Sequence, residues 1–253
     1  MKPPILQTVI ASYVFLIKNF TYALKVGWPF IVFVLFISGL LDYAVVERHN
    51  AFLQNAEDFE AFENSSILNN PFFPTFLFCG NLLILYFLTS FCINWIRAAT
   101  RGIGRFSTCN PFKDYKLVLS CYLYTFFYVL MIIPFFSPLF LGLAAKANNQ
   151  TIASDEAYRF FNGLKLRFSF TLLLCYLPFL ILEFVDSNFF FAPTDFSSAF
   201  TFEPVFFIIN SVGLIIVSGL SCGVLSAYYL WYLRNPDWIQ EQEETYYPTE
   251  LDF

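Results

Sequence analysis

Four long apolar runs constrain the fold of this chain more than any other feature of its sequence. They cover residues 26–46, 72–96, 166–185 and 205–233. The hydrocarbon core of a bilayer is about 30 Å thick and an α-helix rises about 1.5 Å per residue, so about 20 apolar residues span it. In lipid a helix satisfies all of its own backbone groups. The sequence therefore predicts an all-α, polytopic helical membrane bundle with four full spans.

The composition supports this prediction. The chain has 253 residues, of which 58% are hydrophobic and only 13% are charged, whereas a soluble domain has about 25% charged residues. We expect residues 1–234 to form a single integral membrane domain. Residues 235–253 carry six acidic residues and no basic one, which is typical of a disordered acidic tail.

The residues needed for most metal and catalytic sites are scarce. His49 is the only histidine, which argues against His-based triads and multi-His metal centres. The six cysteines form no CxxC pair, and five of them lie in hydrophobic runs. We therefore expect no metal, no cofactor, no catalytic residue and no nucleic-acid partner, and we expect the protein not to be an enzyme.

A fifth apolar run, residues 117–145, is too long for one untilted span and too short for two. Pro134 and Pro138 interrupt it. If the run enters and leaves on the same side, every basic residue except Arg48 lies on one side, whereas a single crossing leaves only eight there. Because basic residues mark the cytoplasmic side, the sequence predicts a re-entrant or short hairpin. It also predicts cytoplasmic N- and C-termini in a bacterial inner membrane.

Two further segments are amphipathic. In residues 5–25 and 155–168, apolar side chains gather on one helical face and polar ones lie opposite. This pattern predicts two interfacial helices in the headgroup region. The apolar face of the second segment comprises Ala157, Phe160, Phe161, Leu164 and Phe168, and that of the first includes Leu6, Ile10, Leu16 and Ile17. Each segment precedes a span, so an internal repeat and chance similarity in a Phe-rich chain both remain open.

Three short segments carry a resemblance to a known group. They are residues 12–20 (SYVFLIKNF) followed by Gly27-Trp-Pro, residues 96–102 (IRAATRG) and residues 155–163 (DEAYRFFNG). In these the chain resembles uncharacterised bacterial inner-membrane proteins of the YciC-like group. It is also similar to the membrane domain attached to some glycerophosphodiester phosphodiesterases. The resemblance implies six spans with cytoplasmic amphipathic helices, from which this chain departs at 117–145, and it implies no catalytic activity.

Basic residues cluster after the second apolar run. Arg97, Arg101 and Arg105 recur every four residues, so they form one face if the helix continues, joined by Lys113 and Lys116. Such juxtamembrane clusters attract anionic lipid headgroups. The cluster is a candidate anionic-lipid headgroup site or, more simply, a plain positive-inside anchor, and a protein contact is a further alternative.

Small and acidic residues mark two further candidate sites. Gly219, Gly223 and Ala227 form one stripe of the last run, which predicts close helix packing, either within the chain or in a homodimer. Asp42 and Glu183 are intramembrane acidic residues near the predicted outer ends of the spans at residues 26–46 and 166–185. They are candidates for a paired, proton-linked site or, more simply, for interfacial carboxylates.

These features predict a non-enzymatic integral inner-membrane protein that organises lipid or protein partners. The expected partners are membrane lipids, with an anionic phospholipid, a second copy of the chain or another protein as candidates. The alternative is a small-solute or lipid transporter that uses the broken hairpin at 117–145. A water-accessible cavity that reaches the midplane beside Pro134 would favour the transporter, and a solid core would favour the organiser.

Overall fold

The computed structural model describes residues 2–54, 72–127, 131, 133–189 and 204–235. Within these ranges it contains eight helices and no strand. They are α1 (Ile5–Lys18), α2 (Phe20–Gln54), α3 (Phe72–Arg101), α4 (Tyr115–Phe126), α5 (Ser137–Ala147), α6 (Ser154–Phe160), α7 (Lys165–Phe189) and α8 (Pro204–Arg234). The predicted all-α fold class is confirmed.

Three helices in the described part of the chain are long and apolar enough to cross a membrane. The qualifying stretches are Phe20–Leu41 in α2, Phe72–Arg101 in α3 and Ser211–Arg234 in α8. A fourth span arises if α6 and α7 count as one broken span, because they meet at a bend of 78°. The chain is therefore a helical membrane protein, and its described part holds three such helices, or four with the bent pair.

The centre of the bundle lies around the second half of α3. Trp95 is fully buried there and packs against Phe15 of α1 and Phe91 of α3, with ring centroids 5.1 and 5.8 Å away. The first half of α3 instead exposes large apolar side chains such as Phe72 and Phe78. Exposed aromatic surface of this kind is costly in water and suits contact with lipid.

The first amphipathic segment is two helices rather than one. Helix α1 ends at Lys18, and the Asn19 side chain donates to the Phe15 carbonyl at 2.8 Å before α2 begins. The face that packs into the bundle consists of Thr8, Ser12 and Leu16. Of the predicted apolar face, Leu16 is buried against the bundle, whereas Leu6, Ile10 and Ile17 are exposed, as the prediction of a helix with an apolar face toward lipid requires.

The second amphipathic segment also breaks. Helix α6 ends at Phe160, and a turn with Gly163 at φ +73° leads into α7. All five side chains of its predicted apolar face are buried. Two of them contact the end of α8, where the Phe161 and Phe168 rings lie 6.2 and 5.0 Å from that of Tyr228. The face therefore forms part of the protein core, and the expectation that it rests on the lipid interface is wrong.

The predicted hairpin at 117–145 is present. Helices α4 and α5 have 12 and 11 residues, which corresponds to about 18 and 16 Å, too short to cross a bilayer core. They run in opposite directions, since Lys146 near the end of α5 donates to the Ser120 carbonyl near the start of α4 at 3.3 Å. Pro138 lies in the first turn of α5, where its missing N–H costs nothing.

Candidate functional site

The three arginines predicted to share one helical face do not share one helix. Helix α3 ends at Arg101 because Gly102 takes a positive φ of +86°, a backbone conformation that glycine adopts without steric cost. Arg105 therefore lies in the loop that follows. The expectation of one continuous basic helix face is wrong for this residue.

Helix α5 ends close to these arginines in a Schellman motif. Asn149 has a φ of +58°, and its N–H bonds the Lys146 carbonyl at 2.9 Å. The N–H of Gln150 bonds the Ala145 carbonyl, also at 2.9 Å. Asparagine is one of the few residues besides glycine that accepts this left-handed conformation. The motif leaves the carbonyls of Ala147 and Asn148 without a helical partner.

Arg97 and Arg101 satisfy these two carbonyls. Arg97 is only 5% exposed, and it donates from Nε to the Ala147 carbonyl at 2.5 Å and from a terminal nitrogen to Asn149 Oδ1 at 3.2 Å. Arg101 donates to Asn148 Oδ1 at 2.9 Å and to the Asn148 carbonyl. The C-terminal end of a helix carries partial negative charge, which attracts cations. Both guanidinium groups thus join α3 to the end of α5.

Hydrogen bonds also hold the loop between α3 and α4 against α3. Asn94 donates to the Cys109 carbonyl at 2.9 Å and accepts from the Cys109 N–H at 2.7 Å. Arg97 adds a bond to the Ser107 carbonyl at 3.2 Å. Burial, followed by the nearby Asp114 carboxylate, raises the pKa of the Cys109 thiol to about 11. The thiol is therefore neutral at physiological pH and serves as a packing group.

With its backbone held in this way, the loop presents the remaining cations outward. We define the basic loop as residues 102–116, which includes the first two residues of α4. Its exposed cations are Arg105, Lys113 and Lys116. Exposed apolar side chains, Ile103, Phe112 and Tyr115, alternate with them. This mixture of cations and apolar side chains is typical of surfaces that contact lipid headgroups.

The small-residue stripe of α8 lies against α1 of the same chain. A Cβ atom placed on Gly223 would lie 3.1 Å from both Cβ and Oγ of Ser12. One placed on Gly219 would lie 3.0 Å from Cδ1 of Leu16. Ala227, one turn further on, is half-buried. The two glycines allow α1 and α8 to approach closely, as small residues do at helix crossings in membranes.

The acidic candidates cannot be placed as a site. Asp42 and Glu183 belong to α2 and α7, but their side chains lie outside the described residues, as do the acidic tail residues 236–253. Within the described part of the chain, no three His, Cys, Asp or Glu side chains come together as metal ligands.

A cleft opens between the two helices of the hairpin. Its volume is about 240 Å³, and its described lining comes from α4 and α5. The sequence prediction omits this cleft, and it also omits Asn148 and Asn149, although two asparagines directly after an apolar helix are a recognisable C-cap signal. Lys146, which lines the cleft, is not among the predicted site residues.

Comparison with known proteins finds no matching family model and no match among curated proteins or solved structures. The class of protein therefore follows from the fold alone. It is an integral membrane protein whose described part is all-α. The resemblance to the YciC-like group stays an expectation.

Proposed function

We propose that this chain is a non-enzymatic protein of the bacterial inner membrane that organises lipid or protein partners, and that its basic loop binds anionic phospholipid headgroups. The proposal rests on the different contacts of the cations at the end of α3 and in the loop that follows. Arg97 and Arg101 bond to the end of α5. Arg105, Lys113 and Lys116 are exposed beside Phe112 and Tyr115.

Loop rigidity supports this function. The Asn110 side chain accepts from the Phe112 N–H at 2.9 Å, and the Asp114 carboxylate accepts from the Asn110 N–H at 2.8 Å. These bonds hold the segment that carries Lys113 in one turn. A cationic surface whose backbone is already ordered loses less conformational entropy when a headgroup binds.

Each juxtamembrane Lys or Arg attracts an anionic surface by about 1 kcal/mol. Three such residues in the basic loop correspond to at most about 3 kcal/mol, or about a hundredfold in binding. We therefore expect the triple variant Arg105→Gln, Lys113→Gln and Lys116→Gln to retain at least tenfold less anionic phospholipid through purification. Native mass spectrometry of the full chain measures the retained lipid.

A matched control removes the same charge elsewhere. The variant Lys18→Gln, Lys25→Gln and Arg234→Gln also loses three exposed cations, and it should keep the retained lipid within about twofold of the unchanged protein, since these residues lie outside the basic loop. Equal losses in both triple variants would mean that only net charge matters. No site should then be assigned to the loop.

Arg105→Lys separates a shaped site from a plain anchor. A guanidinium group engages two phosphate oxygens at once, whereas an ammonium group acts as a point charge. A shaped site predicts a loss of headgroup selectivity in Arg105→Lys with total anionic lipid unchanged. An anchor predicts the same lipids in the same proportions as in the unchanged protein.

The alternative function is transport of a small solute or lipid through the hairpin. The cleft between α4 and α5 favours it, whereas the short length of both helices weighs against a path across the membrane. A lipid-scrambling assay in proteoliposomes tests this alternative. Scrambling above that of protein-free vesicles, abolished by filling the cleft, would replace the organiser proposal.

A further inference from the structure

The cleft between α4 and α5 has a polar end and an apolar end. Four lining residues, at spacings of three and four residues, lie on one helical stripe: Ser120, Leu123 and Tyr124 of α4, and Phe127 directly after it. On α5, Leu139 and Lys146 are seven residues apart and also share one face. Because the helices are antiparallel, Lys146 meets Ser120 at one end, and Leu139 lies toward Phe127 at the other.

The apolar end of the cleft is open at the protein surface. Leu123 is 66% exposed, and Phe127 and Leu139 are also exposed, although all three line the cleft. The distance along α4 from Ser120 to Phe127 is about 10 Å, since a helix rises about 1.5 Å per residue. In a membrane, lipid acyl chains surround such an apolar opening. One acyl chain can therefore enter the cleft through its apolar end.

The polar end is cationic. The Lys146 ammonium donates to the Ser120 carbonyl and lies 5.0 Å from the centre of the Tyr124 ring. An ammonium group has three N–H donors, and the described hydrogen bonds use one. Lys116 lies one turn before Ser120 on the same stripe of α4 and is exposed. A ligand in the cleft would therefore meet two positive charges at this end.

We propose that this cleft binds one acyl chain of an anionic phospholipid, with its phosphate at Lys146 and Lys116. The proposal rests on the function proposed above and adds a defined chain-binding site to the headgroup surface of the basic loop. An anionic headgroup fits because its phosphodiester group keeps its negative charge at all physiological pH values and, unlike that of phosphatidylcholine, has no quaternary ammonium group to offset it. The acyl chain of the phospholipid fits because the cleft has an apolar lining, supplied by Leu123, Phe127, Leu139 and Phe140.

The test uses the full chain in detergent micelles and phosphatidylglycerol with a photoactivatable acyl chain. We expect crosslinks on α4 and α5 near Leu123 and Leu139. The variant Leu123→Trp should reduce this crosslinking at least fivefold by filling the cleft. The variant Leu119→Trp is the matched control, because Leu119 is 63% exposed on the same helix but does not line the cleft, and it should crosslink as the unchanged protein does.

Charge is tested separately. Lys146→Gln should reduce crosslinking by phosphatidylglycerol several-fold and leave the weaker crosslinking by the same probe with a phosphatidylcholine headgroup unchanged. Equal crosslinking by both headgroups in the unchanged protein would overturn the proposal, as would equal effects of Leu123→Trp and Leu119→Trp. Displacement of the probe by free fatty acid as effectively as by unlabelled phosphatidylglycerol would also overturn it.

The two proposals fail in different ways. Lys116 belongs to both sites, so the double variant Arg105→Gln and Lys113→Gln tests the basic loop separately. Loss of lipid retention in this double variant together with crosslinks far from α4 and α5 would sustain the headgroup surface and reject the cleft. Crosslinks in the cleft that disappear in Leu123→Trp, together with unchanged retention in the double variant, would sustain the cleft and reject the loop.

Discussion

The contact between α1 and α8 allows a stability prediction that depends on two named atoms. An alanine at position 223 would place its Cβ 3.1 Å from both Cβ and Oγ of Ser12, whereas its distance to the Ser12 Cα is an ordinary 3.5 Å. Apart from the backbone and neighbours of its own helix, no atom of the described residues lies within 4 Å of the equivalent position at Gly213. We expect Gly223→Ala to destabilise the protein and Gly213→Ala not to.

The magnitudes follow from two opposing effects. Replacing glycine with alanine inside a helix gains about 1 kcal/mol in helix propensity. Overpacking a tight contact costs about 1–3 kcal/mol. Gly223→Ala should therefore lower the free energy of unfolding by about 0–2 kcal/mol, and Gly213→Ala should raise it by up to about 1 kcal/mol. The two variants should differ by about 1–3 kcal/mol.

A double-mutant cycle isolates the contact. Ser12→Gly removes both atoms that lie at 3.1 Å, so Gly223→Ala in that background should become neutral or stabilising. The expected coupling free energy is about 1–3 kcal/mol, within the range for residues in direct contact. Gly213→Ala should show no coupling to Ser12→Gly. The assay is SDS unfolding in mixed micelles, followed by tryptophan fluorescence, for which the buried Trp95 is a suitable reporter.

Two results would refute this reasoning. One is equal stability of Gly223→Ala and Gly213→Ala, which would show that α1 does not rest on α8 at this point. The other is a coupling free energy near zero, which would show that the cost arises elsewhere. A change in oligomeric mass in Gly223→Ala would instead place the stripe at a contact between chains.

Three further predictions concern the topology, the buried arginine and the buried thiol. Single cysteines at positions 60, 150, 195 and 245 of a cysteine-free variant should label outside, inside, outside and inside, and periplasmic labelling at position 150 would contradict the hairpin topology. Arg97→Gln should lower the free energy of unfolding by about 3 kcal/mol because buried carbonyls lose a charged donor. Arg105→Gln should change the free energy of unfolding by less than about 0.5 kcal/mol. Equal effects of the two variants in SDS unfolding would mean that Arg97 does not stabilise the contact between α3 and α5. Cys109 should react slowly with iodoacetamide at pH 8 and rapidly once unfolded, because its pKa is raised from 9.0 to about 11. Because folding raises the pKa of Cys109, the stability that its neutral thiol contributes is present below pH 9 and is lost as the pH rises through about 11. Fast alkylation of Cys109 in the folded protein would contradict its burial.

Several features were predictable from the sequence because their causes are local. A bilayer selects about 20 consecutive apolar residues regardless of what they pack against, so α2, α3 and α8 follow from the apolar runs alone. The hairpin was also predictable, since Pro134 and Pro138 interrupt a run too short for two spans. The buried face of α6 and the start of α7 followed from helical periodicity, although its burial in protein rather than at the lipid interface did not.

The role of each cation was decided by tertiary structure. Arg97 and Arg105 look equivalent in the sequence, yet Arg97 bonds a carbonyl fifty residues away and Arg105 is exposed. The difference arises because Gly102 ends α3 between them, and the free carbonyls at the end of α5 bond Arg97 and Arg101 of that helix. Charge placement relative to the membrane can be inferred from residue counts, but the partner of a charge depends on how helices distant in the chain pack together.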